Sequence, residues 1–243
     1  MDNSKQAQNP ARARADTRIT TCVFDAYGTL FDTNAAARAV ADDPAFPRLR
    51  GCWAQVAADW RLKQLQYTWL RAIANAHADF WHITQQGLDW ALEASGLHED
   101  AELRARLLQS YWRLSAFEEV FSVLTRLRQQ GMAVAILSNG TPAMVQAAVD
   151  SAGIGTLLDA LLSVESVGIF KPAAAVYNLV EQHFGCEKTE VLFVSSNGWD
   201  AAAAAGYGFT SVWVNRAEHP MERLPWAPQH VVSDLNAIPD LMR

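Results

Sequence analysis

The chain has 243 residues, half of them hydrophobic, enough to bury a large core as one α/β domain or as one such domain carrying an inserted subdomain. A formal charge of -6 with no block of Lys or Arg argues against a nucleic-acid or anionic-membrane surface, so any anion the protein binds must meet a local cation. Cys22, Cys52 and Cys186 are odd in number and far apart, which predicts core thiols in a reducing compartment rather than a disulfide framework or a zinc site.

In chain order, the polar stretch "MDNSKQAQNPARARADTR" lacks the apolar core of a signal peptide, and no run reaches the ~18 apolar residues of a membrane span. The expectation is a disordered tail over 1–17 on a cytoplasmic protein. "RITTCVFDA" is a short β-branched and apolar run, a buried strand that ends at Asp25 and is followed by a turn at Gly28. From about Thr33 to Arg113 the character changes to Ala, Leu, Gln and Arg, with Trp53, Trp60, Trp69, Trp81, Trp90 and Trp112, which reads as a helical insert. A strand over Ala133–Leu137 then leads through Asn139 and Gly140 to a helix with Thr141 as its cap, Pro142 at its first position and Gly153 after its end. "LLDALLSVESVGIFKPAAAVYNLVEQHFG" supplies a short strand, a loop and a helix after Lys171-Pro172. "VLFVSSNGWDAAAAAGYGF" is again strand, loop and helix, and "TSVWVNR" is a further strand. The alternation predicts a doubly wound, Rossmann-like α/β core with a parallel sheet, formed by 18–32 and 116–243, and a helical cap subdomain over 33–115.

Each strand ends on polar residues: Asp25 after the first, Ser138 and Asn139 after the second, Ser195, Ser196 and Asn197 after the third, with Lys171 entering from a loop. In a doubly wound sheet these strand ends share one crevice, so residues distant in sequence can converge there. Singly, each has a plainer explanation. Asp25 could cap a turn, Ser138 and Asn139 could form a loop, Lys171 could be solvated, and Asp200 could serve a helix dipole. Their joint arrangement favours a catalytic site.

Together, "FDAYGTLFD", "WRLKQLQYTWLR", "LSNG", "FKP" and "FVSSNGWD" resemble the L-2-haloacid dehalogenases of the haloacid dehalogenase superfamily, in the expected order from Arg18 to Arg216. Phosphoryl-transfer members of that superfamily carry D-x-D, whose second Asp is an acid/base, and further carboxylates for magnesium after the last motif strand. Here Tyr27 takes the second position, and Ser195, Ser196 and Asn197 stand where a metal site wants an Asp. Magnesium has thereby lost ligands and a leaving alcohol its proton donor, whereas a halide leaves without protonation. No metal or other cofactor is expected.

The resemblance implies that Asp25 attacks the halogen-bearing carbon in line, forming an ester that water then cleaves. It implies that Lys171 holds and ionises Asp25 with Ser195 in the same network, and that Thr29 orients the nucleophile. Tyr27, Ser138 and Asn139 would hold the substrate carboxylate, with Ala26 also lining the substrate. Asn197 and Asp200 would position the hydrolytic water, and Tyr177 would join the polar network. If "DWRLKQLQYTWLRAI" is one helix, Leu62, Leu65, Trp69 and Ile73 form its apolar stripe, and at about 100° per residue Arg61 projects roughly 40° from Leu65, at the stripe's edge. A cation there can reach a site under the cap and serve both the substrate carboxylate and the departing halide, with Phe80 and Trp199 lining an apolar pocket. The expected partners are a small 2-haloacid, its halide product and a second copy of the chain, with the remaining cap tryptophans available for helix packing or a dimer face. A metal-dependent phosphatase and a catalytically silent binding protein on the same fold are the competing readings. Tyr27 and Asn197 count against the first, and the intact set Asp25, Lys171, Ser138 and Asp200 against the second.

Overall fold

The computed structural model describes residues 18–241, so the expected disordered tail over 1–17 lies outside the described residues. Six strands form one all-parallel sheet in the order β3-β2-β1-β4-β5-β6. They are β1 (Thr21–Phe24), β2 (Ala133–Ser138), β3 (Ala160–Ser163), β4 (Val191–Ser195), β5 (Thr210–Val214) and β6 (His230–Val232). β1 is central and fully buried, pairing with β2 on one flank and β4 on the other. The chain therefore reverses its winding direction at β1, where open α/β sheets leave a crevice beyond the strand ends. β6 was not foreseen; it is a three-residue, half-exposed edge strand.

Helices α6 (Val120–Gln129), α7 (Pro142–Ala152), α8 (Ala174–Phe184) and α9 (Gly198–Tyr207) accompany the sheet. α7 starts as its sequence dictates. The Thr141 side chain accepts the Met144 N–H, Pro142 follows, and Gly153 closes the helix at φ 67°. In α9 the small side chains of Ala201, Ala202 and Ala204 are buried.

Between β1 and α6 the chain makes five helices, α1 (Thr33–Ala41), α2 (Pro47–Arg50), α3 (Trp53–Ile73), α4 (Phe80–Ala94) and α5 (Ala101–Tyr111). Its exit and return are stitched together. The Asp32 N–H donates to the Ser115 carbonyl at 2.9 Å and the Phe117 N–H to the Leu30 carbonyl at 3.0 Å.

The expected stripe on α3 is corrected by the structure. Leu62 and Ile73 are exposed, Ile73 by 84 %, and the buried face is Val56, Ala57, Trp60, Gln64 and Thr68. That face packs on α4, where Gly87 permits close approach: a Cβ there would lie 3.2 Å from the Trp60 carbonyl oxygen and 3.3 Å from the Gln64 nitrogen. The polar members are accommodated because they are bonded. Gln64 Nε2 donates to Thr84 Oγ1 (2.8 Å) and Tyr111 Oη (3.2 Å), and Trp60 Nε1 donates to the Thr84 carbonyl (2.7 Å). Of the cysteines only Cys22 is a core thiol; Cys52 and Cys186 are half-buried, and all three are free.

Candidate active site

The site begins where β1 runs out. The Asp25 N–H still donates to the Val194 carbonyl (2.9 Å), and then the Ala26 carbonyl accepts the N–H groups of Thr29, Leu30 and Phe31. Gly28 supplies the positive φ of 86° that this turn needs. The turn brings Thr29 Oγ1 back to 3.1 Å from Asp25 Oδ2, and also to 3.1 Å from Ser196 Oγ, while the Ser196 N–H donates to Thr29 Oγ1 at 2.7 Å. Ala26 thus serves through its turn-making carbonyl.

Asp25 is held from both sides. Lys171 Nζ donates to Asp25 Oδ1 (3.1 Å) and to Asp200 Oδ2 (2.9 Å), and Asn197 Nδ2 donates to Asp25 Oδ2 (3.0 Å). Tyr177, on the first turn of α8, donates to Asp200 Oδ1 at 2.7 Å. Lys171 and Asp200 are almost wholly buried, while Asp25 keeps a sliver of exposure. Burial pulls the Lys171 ammonium down, but Asp200 and Asp25 outweigh it, so its pKa lies above the ordinary lysine value. Asp200 lies above the ordinary carboxylate range, because its burial outweighs the attraction of Lys171 and Asp25 repels it. Burial and the neighbouring Asp200 raise the Tyr177 phenol well beyond its usual value, so it remains a donor.

Arg61 reaches this cluster from α3. Its Nη2 lies 3.3 Å from both the Tyr27 carbonyl and Asn197 Oδ1, so Asn197 bridges the guanidinium and the Asp25 carboxylate. Tyr27 is packed among Phe80 (ring centroids 5.9 Å apart), Tyr111 (5.6 Å) and Phe31 (6.5 Å), and its hydroxyl is buried with no protein partner. It passes beside Gly140, where a Cβ would lie 2.9 Å from the Tyr27 oxygen.

Other expected residues are close by in different postures. Ser195 Oγ accepts the Asn197 N–H (3.1 Å), a turn-forming bond rather than a link to Lys171. Ser138 Oγ accepts the Gly140 N–H (3.0 Å), and Asn139 Oδ1 accepts the Lys171 N–H (3.1 Å), fixing the lysine loop. Trp199 lines an apolar groove of about 840 Å³ with Trp69, Phe170 and Trp226, and meets Trp69 edge-on at 5.3 Å. Phe80 does not line that groove; it is buried against Tyr27 and Phe170. Sequence reasoning placed Ser196 at the strand end without a role and passed over Tyr111 and Arg216. Arg216 Nη2 donates to the Thr29 carbonyl (3.2 Å) and Nη1 pairs with Glu119 (2.7 Å), bracing the turn after Asp25 from behind. Only the run "SSN" hinted at Ser196, without saying which residue turns to Thr29. Among the described residues, no group of three or more His, Cys, Asp or Glu side chains is arranged to hold a metal ion.

An aspartate at the switch point of a parallel sheet, ion-paired to a loop lysine beneath an inserted helical layer, is the arrangement of one hydrolase class. Residues 19–208 match the family of haloacid dehalogenase-like hydrolases. The chain is 40 % identical to (S)-2-haloacid dehalogenase 1 of Pseudomonas sp. (strain CBS-3), over 92 % of this chain and 96 % of that protein. It is 41 % identical to the (S)-2-haloacid dehalogenase of Pseudomonas sp. (strain YL), over 90 % and 92 %. Its fold superposes on the L-2-haloacid dehalogenase of Xanthobacter autotrophicus with chloropropionic acid covalently bound, at a TM-score of 0.83 and 37 % identity, covering 93 % of this chain and 98 % of that one. The chain belongs to the haloacid dehalogenase-like hydrolases and, within them, to the (S)-2-haloacid dehalogenase family.

Proposed function

We propose that the protein hydrolyses short-chain L-2-haloalkanoic acids to D-2-hydroxy acids through an ester on Asp25, with inversion at C2. The observation that carries this reading is a partly accessible carboxylate whose two oxygens are fixed by Lys171, Asn197 and Thr29, with the Arg61 guanidinium one amide away. Fixing both oxygens removes the rotation that an in-line attack would otherwise have to freeze out. An Asp25 oxygen forms a bond to C2 as the carbon–halogen bond breaks, and the electron pair leaves with the halide. Asp25 and Asp200 are balanced by Lys171 and Arg61 before substrate enters. The step moves one negative charge from Asp25 to the departing halide, so Arg61 and the Asn197 amide are the groups to receive it. Tyr27, through its unpartnered hydroxyl, is a donor for the substrate carboxylate.

Water then attacks the ester carbonyl and gives one proton to Asp200, which passes it to the departing oxygen as the acyl carbon–oxygen bond breaks; the hydroxy acid leaves, and Asp25 returns as a carboxylate carrying an oxygen from water, whose second proton goes to solvent. The raised pKa of Asp200 makes it a stronger proton acceptor than an ordinary carboxylate. We assign residues 33–115 to a cap subdomain over a core of 18–32 and 116–243. The exposed Leu62, Leu70, Ile73 and Trp90 of α3 and α4 offer an apolar face for a homodimer of a cytoplasmic enzyme. No helix among the described residues is long and apolar enough to cross a membrane.

The test follows chloride from L-2-chloropropionate and phosphate from a generic phosphomonoester, side by side in excess chelator, with chiral analysis of the acid produced. Chloride release with D-lactate as product supports the reading. Phosphate release that returns with Mg²⁺, or a racemic or retained product, sinks it.

A further inference from the structure

Glu165 lies outside the set of residues that handle substrate, in the single 3-10 turn after β3 (Val164–Ser166), yet its carboxylate reaches across to the inserted helices twice. Oε1 accepts the backbone N–H of Phe80 at 3.3 Å, and Oε2 lies 3.0 Å from His77 Nε2. Phe80 is the first residue of α4, so its N–H is one of the four donors a helix cannot satisfy internally. The helix's own cap, Asp79, is engaged with the His82 N–H (2.8 Å), which leaves the Phe80 donor to an acceptor from the sheet side. The His77 ring lies against Phe170, centroids 4.8 Å apart, and Phe170 directly precedes Lys171.

The same turn is tied to the far side of Tyr27. The Glu165 N–H donates to Ser163 Oγ (3.2 Å), and Ser163 Oγ donates to the Gly140 carbonyl (2.7 Å). Gly140 is the residue against which the Tyr27 ring edge and hydroxyl rest. Tyr27 is therefore gripped between Phe80, which Glu165 holds in place, and Gly140, which Ser163 holds in place.

We propose that Glu165 is a positioning residue that latches the N-terminus of α4 onto the sheet, so that Phe80 closes the wall of the substrate site against Tyr27. The inference rests on the dehalogenase reading of the Asp25 site. Glu165 touches neither nucleophile nor substrate, so its loss raises KM more than it lowers kcat. Without the latch the Phe80 amide exchanges with solvent more readily.

The experiment compares wild type, Glu165→Ala and Glu165→Gln for chloride release from L-2-chloropropionate and for amide hydrogen exchange in the peptide containing Phe80. Glu165→Ala is expected to raise KM and the local exchange rate roughly tenfold each, the effect of one lost hydrogen bond to a charged acceptor. Glu165→Gln keeps an acceptor for the Phe80 N–H and restores most of the loss. The double variant Glu165→Ala/Phe80→Leu should be no worse than Phe80→Leu alone, since both act through one contact. Unchanged exchange and KM in Glu165→Ala would overturn the latch, as would exchange raised throughout the protein with kcat and KM altered together. If wild type releases no chloride while exchange at Phe80 still rises in Glu165→Ala, the dehalogenase reading fails and the latch stands.

Discussion

Replacing Lys171 by Met probes the centre of the site with little change of shape, since the apolar stem is kept and only the ammonium is lost. In the native protein that ammonium sits 2.9 Å from Asp200 Oδ2 and 3.1 Å from Asp25 Oδ1, with Lys171 and Asp200 shielded from water and Asp25 nearly so. Its removal leaves two carboxylates sharing a buried site without a cation, a change expected to cost about 3–5 kcal/mol of folding stability at pH 8. The cost depends on pH in a definite direction. Without the lysine, the folded protein holds a proton on the carboxylate pair more tightly than the unfolded chain does. Stability is then fully present below the ordinary carboxylate pKa and is lost as pH rises through the raised folded value. In wild type the lysine contribution stays constant over this range, because its folded pKa is raised and its contribution is lost only at alkaline pH, while the raised Asp200 gives a loss in the same direction that Lys171 makes smaller than in the variant. One proton changes stability by at most about 1.36 kcal/mol per pH unit, so a gap of this size takes roughly two to four units to open above about pH 4. Urea unfolding of both proteins from pH 4.5 to 8 reads it directly. A gap that is absent, or the same at both ends, would refute the claim that Lys171 compensates two buried carboxylates. Chloride release from the variant should fall across the whole range, since Asp25 has lost the donor that fixes its Oδ1.

Asp200→Asn should still be alkylated by L-2-chloropropionate but cleave its ester about 10²–10⁴-fold more slowly, so mass spectrometry finds the adduct on the peptide containing Asp25; an unmodified, inactive variant would move Asp200 to the first step. In wild type, burial-raised Asp200 must lose its proton to act, so hydrolysis of the ester falls as pH drops through a value above the ordinary carboxylate range, and this limb vanishes in the variant. Arg61→Lys keeps the charge but loses the planar guanidinium whose Nη2 lies 3.3 Å from both the Tyr27 carbonyl and Asn197 Oδ1, and kcat should fall on the order of 10²-fold with the fold intact; normal turnover would make Arg61 a surface residue. Gly140→Ala would set a methyl 2.8 Å from the Tyr27 ring and 3.2 Å from Val145, so KM should rise and stability fall by about 1–3 kcal/mol, measured by steady-state kinetics and thermal unfolding.

What was legible from sequence depended on how local the determining forces are. Thr141, Pro142 and Gly153 announce the ends of α7 because capping is settled within four residues of each terminus. The buried strands β1, β2 and β4 were readable from apolar runs, but β6, with three residues and an exposed Val231, carries no such run. The face of α3 was misread because Gln64 and Thr68 look like surface residues. Gln64 is interior only because Thr84 and Tyr111, 20 and 47 positions away, complete its hydrogen bonds, and no period in the helix contains that fact.

The active-site residues pose the same problem at closer range. Strand ends in a parallel sheet must converge, so Asp25, Asn197 and Lys171 could be grouped from sequence. The turn after β4, however, sends three adjacent polar side chains to three different partners: Ser195 to its own loop, Ser196 to Thr29, and Asn197 to Asp25. Residue type cannot separate the two aspartates either, since both follow apolar strands by a short interval. Their surroundings do. Asp25 retains an exposed edge and three hydrogen-bond donors, whereas Asp200 is sealed against Tyr177 and Lys171, where burial raises its affinity for a proton. A pair of like carboxyl groups is thus given different surroundings, which is the basis on which the proposed mechanism assigns attack and water activation to separate residues.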